Sequence, residues 1–214
     1  MALDFYHGSG SPFSWRVHLA LEHRKIPYDL KVLSFQAGDT RKPEFTAINP
    51  RGQVPTIVDD GYVLWESAVI LEYLDERFPG EKLFPGDLKE RTRLRRIARE
   101  ADEYLYKEGV APIVDEFFWK DDKPADLDFV KKKREKVAEE MRYLEGQMRG
   151  RFFAGDAITG ADISAYPFVA FCKRVTFRKP DSKLEETLTP KIAEWAKRIE
   201  SQPYFDKTYP PHWR

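Results

Sequence analysis

Residues 78–86, FPGEKLFPG, divide this chain more sharply than anything else in it. Two Pro-Gly pairs so close together cannot sit inside a helix or a central strand. Proline has no N–H to give, and glycine loses the most conformational entropy on ordering. Before this break, short apolar runs alternate with helical spacing. After it, strand signals nearly vanish. The pattern predicts a first domain over residues 1–78, a linker over 79–86 and an all-helical domain over 87–214.

Within the first part, residues 2–6 read as a strand. Residues 11–23 read as a helix with Val17, Ala20 and Leu21 on one face, residues 28–33 as a second strand, and residues 44–48 as a short helix. The runs VPTIV and YVLW flank Asp59-Asp60-Gly61, which is a hairpin signal. Residues 66–77 follow as a helix, with Val69, Ile70, Tyr73 and Leu74 at helical spacing. A strand–helix–strand start implies a right-handed parallel crossover, and the hairpin adds antiparallel strands. The order βαβαββα gives a mixed sheet with helices, an α+β arrangement compatible with a thioredoxin-like unit.

Beyond the break, Leu94, Ile97, Ala101, Tyr104 and Leu105 mark one helix. Val130, Val137, Met141, Leu144 and Met148 mark another, and Ile192, Trp195, Ala196 and Ile199 a late one. Thr159 and Asp162 open the apolar helix ISAYPFVAFC in a capping-box pattern. Cys172 falls within that helix and reads as a buried, inert thiol.

Composition closes several routes. Lys plus Arg and Asp plus Glu number 36 each, so no net charge favours nucleic acid or an anionic membrane. The single cysteine excludes an intrachain disulfide. His7, His18, His23 and His212 are too scattered for a zinc site, so no metal is expected. The start MALDFYHG lacks a secretory pattern, and no apolar run approaches the ~18 residues of a membrane span. A cytoplasmic location is the resulting expectation.

The loop GSGSPFSWR, residues 8–16, is where chemistry concentrates. A dinucleotide fingerprint fails because Phe13 stands where the third glycine belongs, and a P-loop fails because no Gly-Lys-Ser/Thr follows. What remains is a helix N-terminus with Ser11 at the N-cap and Pro12 at the first helical position. Such an end either holds a small anionic group or is merely capped by its serine. Ser9 reads as a turn residue, and Ser14 as a local backbone partner in the first turn.

Four stretches now carry a resemblance over nearly the whole chain: SPFSWRVHLALEHRKIPYD, NPRGQVPTIVDDG, LWESAVILEYLDERFP and ITGADISAYP. In this order and spacing they resemble the glutathione S-transferases, nearest the zeta and tau classes. The resemblance implies a homodimer that binds glutathione as co-substrate and conjugates it to a small apolar electrophile. It places Ser11 as the hydroxyl that donates a hydrogen bond to the glutathione sulfur. Tyr6 is the rival hydroxyl, used near the first strand in other classes. It implies a cis Val54–Pro55 bond, with Val54 presenting its backbone to the cysteinyl unit and Gln53 beside it. Ser67 would hold the γ-glutamyl carboxylate and Glu66 the amine, while Arg41 or Lys42 would reach the glycyl carboxylate. Phe13, Tyr104, Tyr106, Phe117, Phe118 and Trp119 would line the electrophile site, and the tail YPPHWR either folds over the site or docks elsewhere. Pro12-Phe13 stand where zeta members carry Ser-Cys, which counts against isomerase activity. The same LWESAVILEYLDERFP stretch is similar to stringent starvation protein A, a non-catalytic relative that binds RNA polymerase. That is the alternative function.

Overall fold

In the computed structural model, which describes residues 3–120 and 123–214, strand β1 (Leu3–His7) buries Leu3, Phe5 and His7 on one face. This is the alternation of a strand with its core on one side. Ala2, the first residue of the predicted strand, lies outside the described residues. Helix α1 (Pro12–His23) covers the Phe5 face, where His18 meets Phe5 at 5.7 Å between ring centroids. Strand β2 (Tyr28–Val32) returns parallel to β1, with Phe5 opposite Leu30. On the other face Tyr6 packs on Phe45 of the short helix α2 (Pro43–Thr46), their centroids 5.6 Å apart.

Strands β3 (Thr56–Asp59) and β4 (Tyr62–Trp65) form the predicted hairpin, and the sheet order is β2-β1-β3-β4. Its turn residues Asp60 and Gly61 have φ of 49° and 83°. Both are left-handed, as a two-residue hairpin turn demands. The predicted strand over residues 54–58 starts later, at Thr56, because Pro55 has no N–H for the ladder. Helix α3 (Ser67–Arg77) begins one residue after the predicted start. Glu66 takes φ 72° and ψ 102°, outside helical space.

The segment after α3 is tied down. Arg24 donates to the carbonyl oxygens of Leu74 at 2.6 Å and Phe78 at 2.8 Å, closing the C-terminus of α3. Asp75 accepts from the Leu83 N–H at 2.6 Å. Residues up to Leu83 therefore group with the first unit, which comprises Met1–Leu83 together with Gln202–Arg214. The C-terminal segment, read from sequence as part of the helical domain, belongs here for a physical reason. Trp15 is fully buried, donates to Thr208 Oγ1 at 3.0 Å, and meets the rings of Phe205, Tyr209 and Trp213.

The second unit, Phe84–Ser201, is helical. Asp87 caps α4 (Leu88–Glu100), which runs into a wider-turned π-helical stretch over Ala101–Val110 and then α5 (Ala111–Phe118). The single helix predicted through residues 94–105 therefore changes type at Ala101. Two residues suit the wider turn: Pro112 has no N–H for the carbonyl four residues back, and Gly109 lets Val137 approach closely. Helices α6 (Leu127–Gln147), α7 (Gly160–Arg178) and α8 (Pro190–Glu200) follow, and the short α9 (Phe205–Thr208) lies in the C-terminal segment of the first unit. Cys172 is fully buried in α7, and burial pushes its thiol up to about 12, so the inert reading holds.

Candidate active site

A cavity of about 400 Å³ lies in the first unit, and its walls contain Ser11, Phe13, Gln53, Val54, Pro55, Glu66 and Ser67 of the residues expected to meet glutathione. These come from three separated stretches, brought together by the parallel crossover and the hairpin. Phe35, Asn49, Gly52 and Trp65 complete the lining.

Ser11 sits at the N-cap of α1 with extended backbone, and its Oγ accepts the Ser14 N–H at 3.3 Å. Accepting that bond still leaves the hydroxyl its own proton to donate, and it polarises the O–H toward donation. Ser14 has a different job. It is fully buried, accepts the Gly8 N–H at 3.2 Å and lies 2.8 Å from His7 Nδ1, so it ties the end of β1 to α1. Burial, then the charge of His18, pulls His7 down to about 3, so the imidazole is neutral near pH 7.

The Val54 wall is held by Asn49, which is fully buried. Its Nδ2 donates to the Gln53 carbonyl at 2.8 Å and to Thr56 Oγ1 at 3.0 Å, while Thr56 donates to the same carbonyl at 3.1 Å. These bonds brace both sides of the Val54–Pro55 peptide, which is cis. Gly8 is required where Phe35 and Val54 close over it. A Cβ there would lie 2.4 Å from the Phe35 ring and 2.7 Å from a Val54 methyl.

At the third wall, Glu66 does not cap α3 with its side chain. The start of α3, with the Ser67 hydroxyl beside it on the cavity wall, thus has the chemistry of an anion-accepting helix end. Glu66 holds a left-handed φ that a non-glycine residue adopts at a cost of ~1–3 kcal/mol, a geometry typical of functional positions. It is the one charged side chain among the lining residues. Two helix N-termini, one carboxylate and an extended backbone edge suit a ligand with an anionic group, an amine and a peptide unit.

Other predicted residues are not among those that line this cavity. Lys42 pairs with Asp39 at 2.6 Å, and neither it nor Arg41 lines the cavity. Tyr6 packs on Phe45 as a strand residue and does not line it either. Tyr104, Phe117 and Trp119 belong to the helical unit. Tyr104 and Trp119 are exposed, while Tyr106 stacks on Phe168 at 4.7 Å and Phe118 receives Arg178 and Lys179 on its face. Of the linings that sequence reasoning passed over, Asn49 stood within NPRGQVP. Its burial, the signal of a structural polar post, is visible only in the fold.

Known proteins carry the same architecture. Residues 10–77 match the family described as glutathione S-transferase, N-terminal domain, and residues 109–203 the one described as glutathione S-transferase, C-terminal domain. This chain is a glutathione S-transferase family member. Glutathione S-transferase A of Pleuronectes platessa is 30% identical to it over 213 residues, covering 96% of this chain and 90% of that protein. A crystal structure of a glutathione S-transferase from the Antarctic clam Laternula elliptica superposes with a TM-score of 0.82 at 32% identity, covering 100% of this chain and 94% of that one. Probable maleylacetoacetate isomerase 2 of Drosophila melanogaster is 39% identical over 89 residues, covering 41% of this chain and 39% of that protein. In this glutathione S-transferase the thioredoxin-like sheet thus carries the cavity on loops and helix starts, with strands β1 and β3 as its rigid base.

Proposed function

We propose that the chain is a serine-type glutathione transferase, in which Ser11 stabilises the glutathione thiolate for attack on an apolar electrophile. The observation that carries this reading is the Ser11 hydroxyl, whose acceptor side is used by the Ser14 N–H while it lines the same cavity as Val54, Glu66 and Ser67. Val54 would pair its backbone with the cysteinyl unit as a short strand addition. The start of α3 and Ser67 would take the γ-glutamyl carboxylate, and Glu66 the amine. Ser11 acts as a hydrogen-bond donor, not as a nucleophile or a base.

A free thiol has a pKa of about 8.5. A hydrogen bond to the charged sulfur contributes ~1.5–3 kcal/mol and the helix end ~0.3–1 kcal/mol. At about 1.4 kcal/mol per unit, the bound thiol falls to roughly 6–7 and is mostly thiolate at neutral pH. The sulfur then attacks the electrophilic carbon and expels its leaving group. Pro12-Phe13, in place of the Ser-Cys of zeta members, favours conjugation over isomerisation. Retention of Ser11, Glu66 and Ser67 in one cavity likewise supports an enzyme over a polymerase-binding relative.

The test is calorimetric titration with glutathione, followed by an aryl-halide conjugation assay of wild type and Ser11→Ala. Ser11→Ala should lower kcat/KM by about 10- to 100-fold, the value of the lost bond, with glutathione affinity little changed. No binding at millimolar glutathione would sink the enzyme reading. Full activity in Ser11→Ala would sink the serine assignment.

A further inference from the structure

We propose that His212, near the C-terminus, is a positioning residue that holds the loop over residues 8–11 and thereby aims the Ser11 hydroxyl. The inference rests on the serine-type reading above. Its evidence lies in how that loop is held.

Two glycines give the loop little conformational preference of its own. One end is anchored from within, where Gly8 donates to Ser14 Oγ and accepts the Ser11 N–H at 3.1 Å. The other end, Ser11, is fixed as the cap of α1. Between them, Ser9 and Gly10 are met from outside by His212. Its Nδ1 lies 3.3 Å from Ser9 Oγ. Gly10 has φ 88°, and a Cβ on it would lie 2.9 Å from His212 Nε2 and 3.4 Å from Trp213 Nε1. The two rings therefore rest directly on the Gly10 backbone, one residue from Ser11.

His212 is itself seated through its neighbour. Trp213 meets the fully buried Trp15 edge-on, with centroids 5.5 Å apart and planes at 87°. Trp15 is on α1, and its N–H bonds the Ser11 carbonyl at 2.9 Å. The C-terminal segment thus docks on the same helix that carries the reactive hydroxyl, and His212 reaches from that dock to the loop. The His212 side chain is exposed, so the apolar burial that anchors the segment belongs to Trp15, Phe205, Tyr209 and Trp213. Removing the imidazole should therefore loosen the loop without undocking the segment. A small displacement of a hydrogen-bond donor matters most when the charge it serves is the reacting atom.

The experiment compares wild type, His212→Ala, His212→Asn, Ser9→Ala and the Ser9→Ala/His212→Ala double variant. His212→Ala should lower kcat/KM for the aryl halide about tenfold, the size of one hydrogen bond. It should also shift the ultraviolet titration of the bound thiolate to higher pH. Calorimetric glutathione affinity and the thermal midpoint should stay near wild type. His212→Asn, whose carboxamide can serve the Ser9 hydroxyl as donor or acceptor, should restore most of the activity. The double variant should lose no more than His212→Ala, since the two residues act through one bond. Wild-type kcat/KM and thiolate titration in His212→Ala would overturn the proposal. So would a loss shared equally by the Ala and Asn variants that follows the thermal midpoint. If Ser11→Ala is fully active, the serine-type reading itself fails. If Ser11→Ala is impaired while His212→Ala is normal, only the positioning role fails.

Discussion

Two buried histidines, His7 on β1 and His18 on α1, make the first unit's stability sensitive to acid in a direction that burial predicts. The His7 and His18 rings lie 5.2 Å apart. Tyr28 donates to Glu22 at 2.5 Å, so His18 Nε2 must donate to the Tyr28 oxygen at 2.8 Å, which fixes its tautomer. Lys207 closes the chain with an ion pair to Glu22 at 2.6 Å. Burial pulls His7 to about 3 and His18 to about 4, with His18 and Lys207 respectively as the smaller, charge-based causes. Both folded-state values lie below the unfolded value of about 6.5. The unfolded chain therefore takes protons first, and the stability present above pH ~6.5 is lost as pH falls toward ~4, by about 1.4 kcal/mol per pH unit for each histidine. Urea unfolding across this window should show that slope, and His18→Gln should remove about one proton's worth of it. A variant with the wild-type slope would show that His18 is protonated in the native state. None of this was legible in sequence, where His7 and His18 appeared only as scattered residues. Their neutrality comes from the Phe5 face of a sheet that exists only once β1 and α1 pack.

Among the elements, the helix starts were the most readable and the most consequential. Serine followed by proline announced α1, and the Thr159–Asp162 spacing announced α7. In the structure Asp162 is fully buried. It accepts from Thr159 N–H at 2.9 Å, Phe153 N–H at 3.2 Å and Trp195 Nε1 at 2.8 Å, and from the Thr159 hydroxyl at 2.6 Å. Burial raises its pKa while these bonds oppose the rise. Asp162→Ala should cost about 3 kcal/mol in urea unfolding, because it orphans several buried donors at once. A loss below about 1 kcal/mol would mean that water replaces the carboxylate. Local signals were weaker where a partner decided the geometry. Glu66 counted as helical by spacing, yet it turns to φ 72° before α3 begins, and the change to π-helical turns at Ala101 left no periodic trace.

At the scale of the molecule, the first unit leaves large apolar side chains exposed. Tyr62 on β4 and Val69 on α3 are 53% and 50% exposed. Exposed apolar side chains on neighbouring elements suit an interface between copies, in keeping with the homodimer reading. Sedimentation at micromolar concentration should give twice the mass of one chain, and Val69→Glu should shift it toward the monomer. A monomeric wild type would refute that reading. No helix among the described residues is long and apolar enough to cross a membrane.

The sequence alone determined the order of strands and helices in the first unit, the hairpin turn, and seven of the residues that meet in the cavity, Ser11, Phe13, Gln53, Val54, Pro55, Glu66 and Ser67. Each of these is written in short-range chemistry: proline and glycine punctuation, side-chain periodicity and capping. Only the tertiary structure decided that Asn49 braces the Val54 wall, that Phe35 closes over Gly8, and that the last residues lie on Trp15 beside the Ser11 loop. Those contacts join residues as far apart as Ser9 and His212, and no local pattern records which distant ring fills a space that folding has yet to create.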